Sequence, residues 1–357
     1  MSEELIIESH RGPYTVSFVE NALAKLAVLP TEGCHFIVDA KVAEIYKEAL
    51  APLLVTSRIL LIDASEEAKT LDRFTGYVET LVHQSVRRGN SLIAIGGGVV
   101  QDITAFLAST LLRGVRWELY PTTLLAQADS CIGSKSSINV GSVKNILGTY
   151  CPPAQIYIDV GLLQTLEEVD VRSGIGEMIK VHAIAGPGQF DALAINYEKI
   201  RNEPEALNDF IRRSLEIKKR IIELDEFDTG PRNVMNYGHS FGHAIEAATN
   251  FGVPHGIAVT IGMDMANYIA ISMGRMSKEH FERMHPVLVE NSKGFHNIKI
   301  PRKSFHAAIG KDKKNKGANL NLILPDAEGI PQMVSIEKSA AFMEWCDDYF
   351  SKLLPQS

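Results

Sequence analysis

The sequence predicts an α/β N-terminal domain of nucleotide-binding type, followed by a mostly α-helical C-terminal domain that carries metal- and substrate-binding chemistry. Three observations predict it. Short apolar runs alternate with amphipathic helical stretches through the first part of the chain, which argues for a parallel sheet with helices on its faces. One of those runs leads straight into Gly96-Gly97-Gly98. Beyond about residue 161 the apolar residues recur at helical period instead, and one of those segments carries His239 and His243.

In order along the chain, the candidate strands are residues 35–39 (HFIVD), 58–63 (RILLID), 91–95 (SLIAI) and 116–120 (RWELY), with helical stretches such as 66–87 between them. Residues 137–140 and 155–158 read as two further short strands. Residues 162–166, 175–184, 205–224, 236–250 and 257–273 read as helices, and 319–324 with 332–336 as a small late hairpin. The boundary is expected so that 1–165 forms the α/β domain and 166–357 the helical one. A cleft between two domains is a common place for a ligand.

The composition, with 45% hydrophobic and 22% charged residues over 357, is that of an ordinary globular protein. The net charge of −7 and the lack of a long basic run argue against a nucleic-acid partner. Cys34, Cys131, Cys151 and Cys346 are scattered without a CxxC pair, as in reduced cytoplasmic proteins. The opening MSEELIIESH has neither the basic nor the apolar region of a signal peptide. No run of about 18 apolar residues is present, so no membrane span is expected.

His239 and His243 are spaced i, i+4, and on a helix both rings leave one face. His255 follows between Pro254 and Gly256. Neutral imidazoles at this spacing suit zinc, whose catalytic sites keep three protein ligands and one open position. The plain alternative is a pair of capping and packing histidines. Glu177 lies one helical turn before Lys180 and is a possible third ligand, or else half of an ordinary helical ion pair. The strand-to-glycine turn at 91–98, followed by Asp102, suits a pyrophosphate: glycine lets backbone N–H groups approach, and a helix N-terminus favours the negative charge. A tight β–α turn would need glycine as well. Asp39 ends a strand where ribose hydroxyls could be met, and Glu66 and Lys69 follow the next strand. Asp129, Ser130, Ser134 and Lys135, with Lys144 and Asn145 beyond, offer what an anionic substrate needs, or a solvated loop. The run from 311 to 317 is a last cationic cluster, whose usual meaning is a solubilising loop.

Taken in order, Gly96-Gly97-Gly98-x-x-x-Asp102, Arg113-Gly114, Pro121-Thr-Thr-Leu-Leu-Ala, Asp129-Ser-x-Ile-Gly-x-Lys135, Lys144-Asn145, Gly176-Glu177-x-x-Lys180, Arg232-x-x-x-Asn236-x-Gly238-His239-x-x-Gly242-His243-Ala-Ile-Glu246, His255-Gly256 and Asp312-Lys313-Lys314 resemble the 3-dehydroquinate synthases, within the wider sugar-phosphate cyclases. The resemblance runs from about residue 60 to about residue 330. It implies a dehydroquinate synthase-like fold and a soluble, cytoplasmic homodimer. It also implies a metal, zinc or cobalt, on Glu177, His239 and His255, with His243 turned instead to the substrate phosphate. NAD would lie on Gly97, Gly98 and Asp102, with Asp39, Glu66, Lys69, Thr122, Thr123, Lys144, Thr165 and Leu166 around it. The phosphate would meet Lys135, Asn145, Asn236, His243 and Lys313, with Arg113 entering from a second subunit. Lys218 and Arg232 would hold a carboxylate, and Asp129 and Lys180 would complete the pocket.

The chemistry implied is an NAD-dependent transient oxidation of a sugar phosphate, loss of phosphate, return of the hydride, and an intramolecular aldol. The carboxylated substrate would be 3-deoxy-arabino-heptulosonate 7-phosphate and the product 3-dehydroquinate. The chain departs from the family pattern at Ser134, Met235 and Ile257. Those departures keep open a specialised cyclase acting on sedoheptulose 7-phosphate or glucose 6-phosphate. Arg232 favours the carboxylated substrate, because a guanidinium pairs a carboxylate bidentately. A metal-dependent polyol dehydrogenase is a further alternative, but the lysines have no purpose in simple hydride exchange. A non-catalytic NAD-binding protein would be expected to have lost a ligand or a phosphate lysine, and none is missing.

Overall fold

The computed structural model describes residues 4–28, 32–141, 143–310 and 319–354. The chain divides into two compact units, Met1–Leu166 with Lys218–Phe227, and Glu167–Ile217 with Asp228–Ser357.

The first unit contains β1 (Glu4–Ile7), β2 (Tyr14–Phe18), α1 (Ala22–Ala27), β3 (Cys34–Asp39), α2 (Ala40–Ile45), α3 (Lys47–Leu54), β4 (Ile59–Ile62), α4 (Leu71–His83), β5 (Ser91–Gly96), α5 (Gly98–Thr110), β6 (Arg116–Pro121), β7 (Ile138–Val140), β8 (Val143–Leu147) and β9 (Gln155–Ile158). Seven strands form one sheet in the order β1-β2-β9-β6-β5-β3-β4. All neighbours in it are parallel except β1 with β2. Strands of a parallel sheet are covered on both faces and read as unbroken apolar runs. β5 does so, being buried from Leu92 onward. Phe36, Val38, Ile93, Ile95 and Tyr120 of the sheet pack with Leu23, Leu26, Val42, Leu50 and Leu53 of the helices in one core. The register pairs Val38 with Ile95 and Gly96 with Pro121. Asp39, Gly96 and Pro121 therefore share the carboxyl edge of the sheet, where open α/β sheets take their ligands. β7 and β8 form a separate antiparallel pair.

The second unit contains α6 (Glu168–Ile184), α7 (Pro187–Ile195), α8 (Tyr197–Asn202), most of α9 (Pro204–Leu224), α10 (His239–Ala248), α11 (His255–Ser272), α12 (Lys278–Asn291), α13 (Arg302–Ile309), the antiparallel pair β10 (Asn319–Pro325) and β11 (Pro331–Glu337), and α14 (Ala340–Lys352). α11 is its central helix. It is buried from residue 256 to residue 267 without a break, the state of a helix apolar all round.

Several features differ from the sequence reading, among them the stretch 66–87, which is a 3-10 turn at Glu66–Lys69 and then α4. The stretch 162–166 is a 3-10 turn, Val160–Thr165, capped by the Asp159 carboxylate, which accepts from Gly161 N. The stretch 236–250 is two pieces, a 3-10 turn at Pro231–Asn236 and then α10, because Gly238 between them has φ 78°. The β1–β2 pair was not foreseen. Finally, the chain crosses near residue 166 and then returns: Lys218–Phe227 belongs to the first unit. Polar anchors hold that segment there. Lys218 bonds Asp129, and the carboxylates of Glu223 and Glu226 accept from the backbone N–H groups of Glu8 and His10.

Candidate metal centre and nucleotide cradle

In the second unit three helices bring Glu177, His239 and His255 together. Glu177 lies in mid-α6, while His239 and His255 are the first residues of α10 and α11. Glycine beside each ligand makes the convergence possible. A Cβ on Gly176 would lie 2.2 Å from the Gly256 carbonyl, and one on Gly256 would lie 1.8 Å from the Ser173 carbonyl, so α6 and α11 touch backbone to backbone. Gly238 combines its positive φ with a Cβ position 2.5 Å from the Val259 carbonyl, which seats the start of α10 on α11.

Glu177 Oε1 lies 3.4 Å from His255 Nε2 and 3.7 Å from His239 Nε2. Two donors each about 2.1 Å from a tetrahedral zinc stand about 3.4 Å apart. The donor set, one carboxylate and two imidazoles, therefore fits a zinc-like cation in kind and in spacing. His243 is close as well: the donor atoms of His239, His243 and His255 all lie within 4.8 Å of one another. The spacing-based pair and the set implied by resemblance thus fall on one spot, and the carboxylate contacts go to His239 and His255. Their far nitrogens are engaged elsewhere. His239 Nδ1 is 3.3 Å from the Tyr237 carbonyl, and His255 Nδ1 is 3.3 Å from Glu246 Oε2. Burial opposes charge on His255, but hydrogen bonds to Glu177 and Glu246 outweigh it and push its pKa up to about 10. A cation bound there would take the place of that proton.

Lys180 Nζ is 2.5 Å from Glu177 Oε2, and both side chains are buried. Burying an ion pair costs desolvation that its attraction rarely exceeds, so such pairs are weak stabilisers and good functional candidates. Arg232 is also buried, in the turn before α10, and Asn236 Nδ2 donates to the Asn233 carbonyl.

In the first unit Gly97 is the N-cap of α5. Cβ positions on Gly96 and Gly97 run into Val100 and Thr123 at 2.7 and 2.8 Å, whereas one on Gly98 finds only Ser130 Oγ at 4.0 Å. The first two glycines close the turn, and the third leaves the helix N-terminus open to a ligand. Around it runs one polar network. Lys69 Nζ sits 2.8 Å from Asp102 Oδ2, 3.3 Å from Asn145 Oδ1 and 3.7 Å from Glu66 Oε1. Lys144 Nζ is 3.8 Å from Glu66 Oε2. Burial opposes charge on Glu66, yet Lys69, Asn139 and Lys144 keep its pKa below the ordinary value, while burial raises that of Asp102. Asp39 caps α2 by accepting from Lys41 N. Thr122 N donates to the Gly96 carbonyl, Thr123 Oγ1 accepts from Ala126 N, and Thr165 Oγ1 meets the Tyr46 hydroxyl. Leu166 is half-buried beside it.

Further along this unit, Lys218 Nζ bonds the carboxylate and the carbonyl of Asp129, both at 2.5 Å. Lys135 is half-buried and follows Gly133 and Ser134, both at positive φ. Arg113 is exposed at a corner where Leu112 and Arg113 have φ 52° and 67°. Lys313 lies outside the described residues. Sequence reasoning missed two members of these clusters. Asn139 bonds Glu66 Oε2 at 3.0 Å, and Glu246 was quoted as motif without a task. Neither spacing nor composition singles them out.

Two family models cover most of the chain, 3-dehydroquinate synthase N-terminal over residues 59–173 and 3-dehydroquinate synthase C-terminal over residues 174–315. A 3-dehydroquinate synthase from Thermoanaerobacter sp. (strain X514) is 34% identical over 345 residues, covering 94% of this chain and 97% of its own. Among solved structures, a 2-deoxy-scyllo-inosose synthase complexed with carbaglucose-6-phosphate, NAD+ and Co2+ superposes with a TM-score of 0.82 at 24% identity, over 97% of this chain and 99% of that one. A 2-epi-5-epi-valiolone synthase from Streptomyces hygroscopicus subsp. jinggangensis 5008, with NAD+ and Zn2+ bound, gives 0.80 at 26% identity, over 95% and 97%.

Proposed function

This chain belongs to the 3-dehydroquinate synthase family, and from that premise we propose that it converts 3-deoxy-arabino-heptulosonate 7-phosphate to 3-dehydroquinate and phosphate. The observation that carries the reading is the convergence of Glu177, His239 and His255, residues far apart in sequence, at the spacing of one small cation. These three would hold zinc or cobalt. Gly97, Gly98 and Asp102 would hold NAD, with Asp39, Glu66, Lys69, Thr122, Thr123, Lys144, Thr165 and Leu166 around it. When bound, NAD would take up one hydride and give it back, and the cation would polarise a substrate oxygen as a Lewis acid.

The chain's own residues do the rest by positioning and charge. Lys135, Asn145, Asn236, His243 and Lys313 would hold the phosphate and neutralise it as it leaves. Arg232 and Lys218 would grip the substrate carboxylate, with Lys218 kept straight by Asp129. Lys180 would set the charge on Glu177. A cytoplasmic homodimer is part of the proposal, with Arg113 as the residue offered to a second copy. Its support is the strained corner that turns Arg113 outward, since such backbone persists where the surroundings or a function require it.

A second reading, a cyclase for a sugar phosphate without a carboxylate, is favoured by Ser134, Met235 and Ile257 and opposed by the buried Arg232. One experiment separates the two. The purified protein, with zinc or cobalt and sub-stoichiometric NAD, is given 3-deoxy-arabino-heptulosonate 7-phosphate, sedoheptulose 7-phosphate or glucose 6-phosphate, and phosphate release is assayed. Release from the first without net NADH is expected. Release only from the others would retain the cyclase and discard the substrate, and conversion of the NAD to NADH without phosphate release would mean a dehydrogenase reaction in place of the cyclisation.

A further inference from the structure

We propose that Glu246 is a positioning residue of the metal centre, which holds the His255 ring so that Nε2 points to the cation. The inference rests on the metal reading above. Glu246 stands on α10 seven residues after His239 and three after His243, so all three leave the same side of the helix. Its two carboxylate oxygens lie 3.4 and 3.3 Å from His255 Nδ1, while His255 Nε2 lies 3.4 Å from Glu177 Oε1. The ring is thus held at both ends by carboxylates with different tasks.

The assignment of those tasks follows from the ring. Nδ1 and Nε2 diverge, so a group bonded to Nδ1 cannot also reach a cation on Nε2, and Glu246 is not itself a ligand. As an ionised acceptor it requires a proton on Nδ1. That requirement selects the tautomer whose Nε2 lone pair is free, and it raises the basicity of the ligating nitrogen. His255 needs such a hold more than His239 does. It is the first residue of α11, directly after Pro254, and its side chain is 37% exposed, against 14% for His239. His239 is oriented by the neutral Tyr237 carbonyl. A solubilising role for Glu246 is at odds with its side chain, which is only 12% exposed.

The test is the affinity of the full-length protein for Zn2+, by competition with a chromophoric chelator, with the visible spectrum of the Co2+ form as a second readout. Glu246→Met keeps the bulk and removes the acceptor, and Glu246→Gln keeps an amide oxygen for the Nδ1 proton. Glu246→Met is expected to weaken Zn2+ binding roughly 10–100-fold and to change the Co2+ spectrum. Glu246→Gln should recover most of the affinity, with equal melting of both metal-free variants. His255→Ala is the control. If it binds Zn2+ as the parent does, the metal reading itself is wrong. If His255→Ala weakens binding while Glu246→Met and Glu246→Gln match each other, the metal reading stands and the role of Glu246 is overturned.

Discussion

The glycine turn of the first unit and the metal centre of the second use the same residue in opposite ways. At the turn, Gly98 faces open space, so the missing side chain becomes room for a ligand. At the metal centre, Gly176 and Gly256 face backbone at 2.2 and 1.8 Å, so the missing side chains are consumed by packing. One site is a contiguous stretch, β5 into α5, with its geometry set within a few residues. The other is assembled from three helices, and its ligands meet only because those helices approach more closely than any side chain would permit. Losing Gly98 costs ligand affinity, whereas losing Gly176 or Gly256 costs the site and the fold together.

The sharpest way to break this contrast is a matched pair of substitutions. Gly256→Ala should destabilise the protein by about 3 kcal/mol or more, through overpacking that the backbone cannot relieve, and abolish tight zinc binding. Gly98→Ala should leave stability within about 1 kcal/mol, since alanine is the better helix former, and weaken NAD binding roughly tenfold, or about 1.4 kcal/mol. Denaturant melts and NAD titrations of both variants decide it, and equal destabilisation would end the contrast.

A second comparison lies within function. Arg232 belongs to the second unit and is buried, so Arg232→Ala should act on substrate and spare the cradle. A charged hydrogen bond contributes about 1.5–3 kcal/mol, which corresponds to a fall in kcat/KM of roughly ten- to a hundred-fold or more, specific to carboxylated substrates. Steady-state kinetics with and without the substrate carboxylate, alongside NAD affinity, measure it. A comparable loss of NAD affinity would refute the separation.

The smallest effect concerns pH and the second unit alone. His285 Nδ1 bonds the buried Asp264 at 2.8 and 3.0 Å, and Asp264 also accepts from the Tyr349 hydroxyl at 2.8 Å, which ties α11, α12 and α14 together. The hydrogen bonds to Asp264 raise the His285 pKa against the opposing effect of burial. A raised value means the stabilisation is complete below the ordinary histidine value of about 6.5 and fades as pH rises through the folded value. His285→Gln should therefore cost on the order of 1 kcal/mol at low pH and progressively less at high pH. Hydrogen exchange should show the change in α11, α12 and α14 and not in β5. A pH-independent difference would remove the charge from the explanation.

Much of this was legible in the chain itself, for reasons that differ by region. β3, β5, β6 and the β10–β11 pair were readable because a strand's burial and a hairpin's pairing are written locally, in apolar runs and turn residues. The β1–β2 pair was not, because four and five residues at a sheet edge carry too little pattern. The helix at 162–166 failed because the backbone is already extended at Leu166 (φ −74°, ψ 146°), which leaves a six-residue 3-10 turn too short for helical period to act. The triple glycine, the paired histidines and the buried lysines could be picked out by residue type. Asn139 and Glu246 could not, since an amide and a surface-type carboxylate gain meaning only from what they face.

The sequence by itself determined the change from alternating strands and helices to a mainly helical region, and the kinds of chemistry available: imidazoles, carboxylates, lysines and a glycine turn. These depend on residue identity and short-range spacing alone. Only the tertiary structure decided that Glu177 meets His239 and His255, that Glu246 stands behind His255, and that Lys218–Phe227 returns to the first unit. Those facts depend on helices packing at glycine-to-carbonyl distances and on ion pairs between residues as far apart in sequence as Asp129 and Lys218, and no local pattern encodes either.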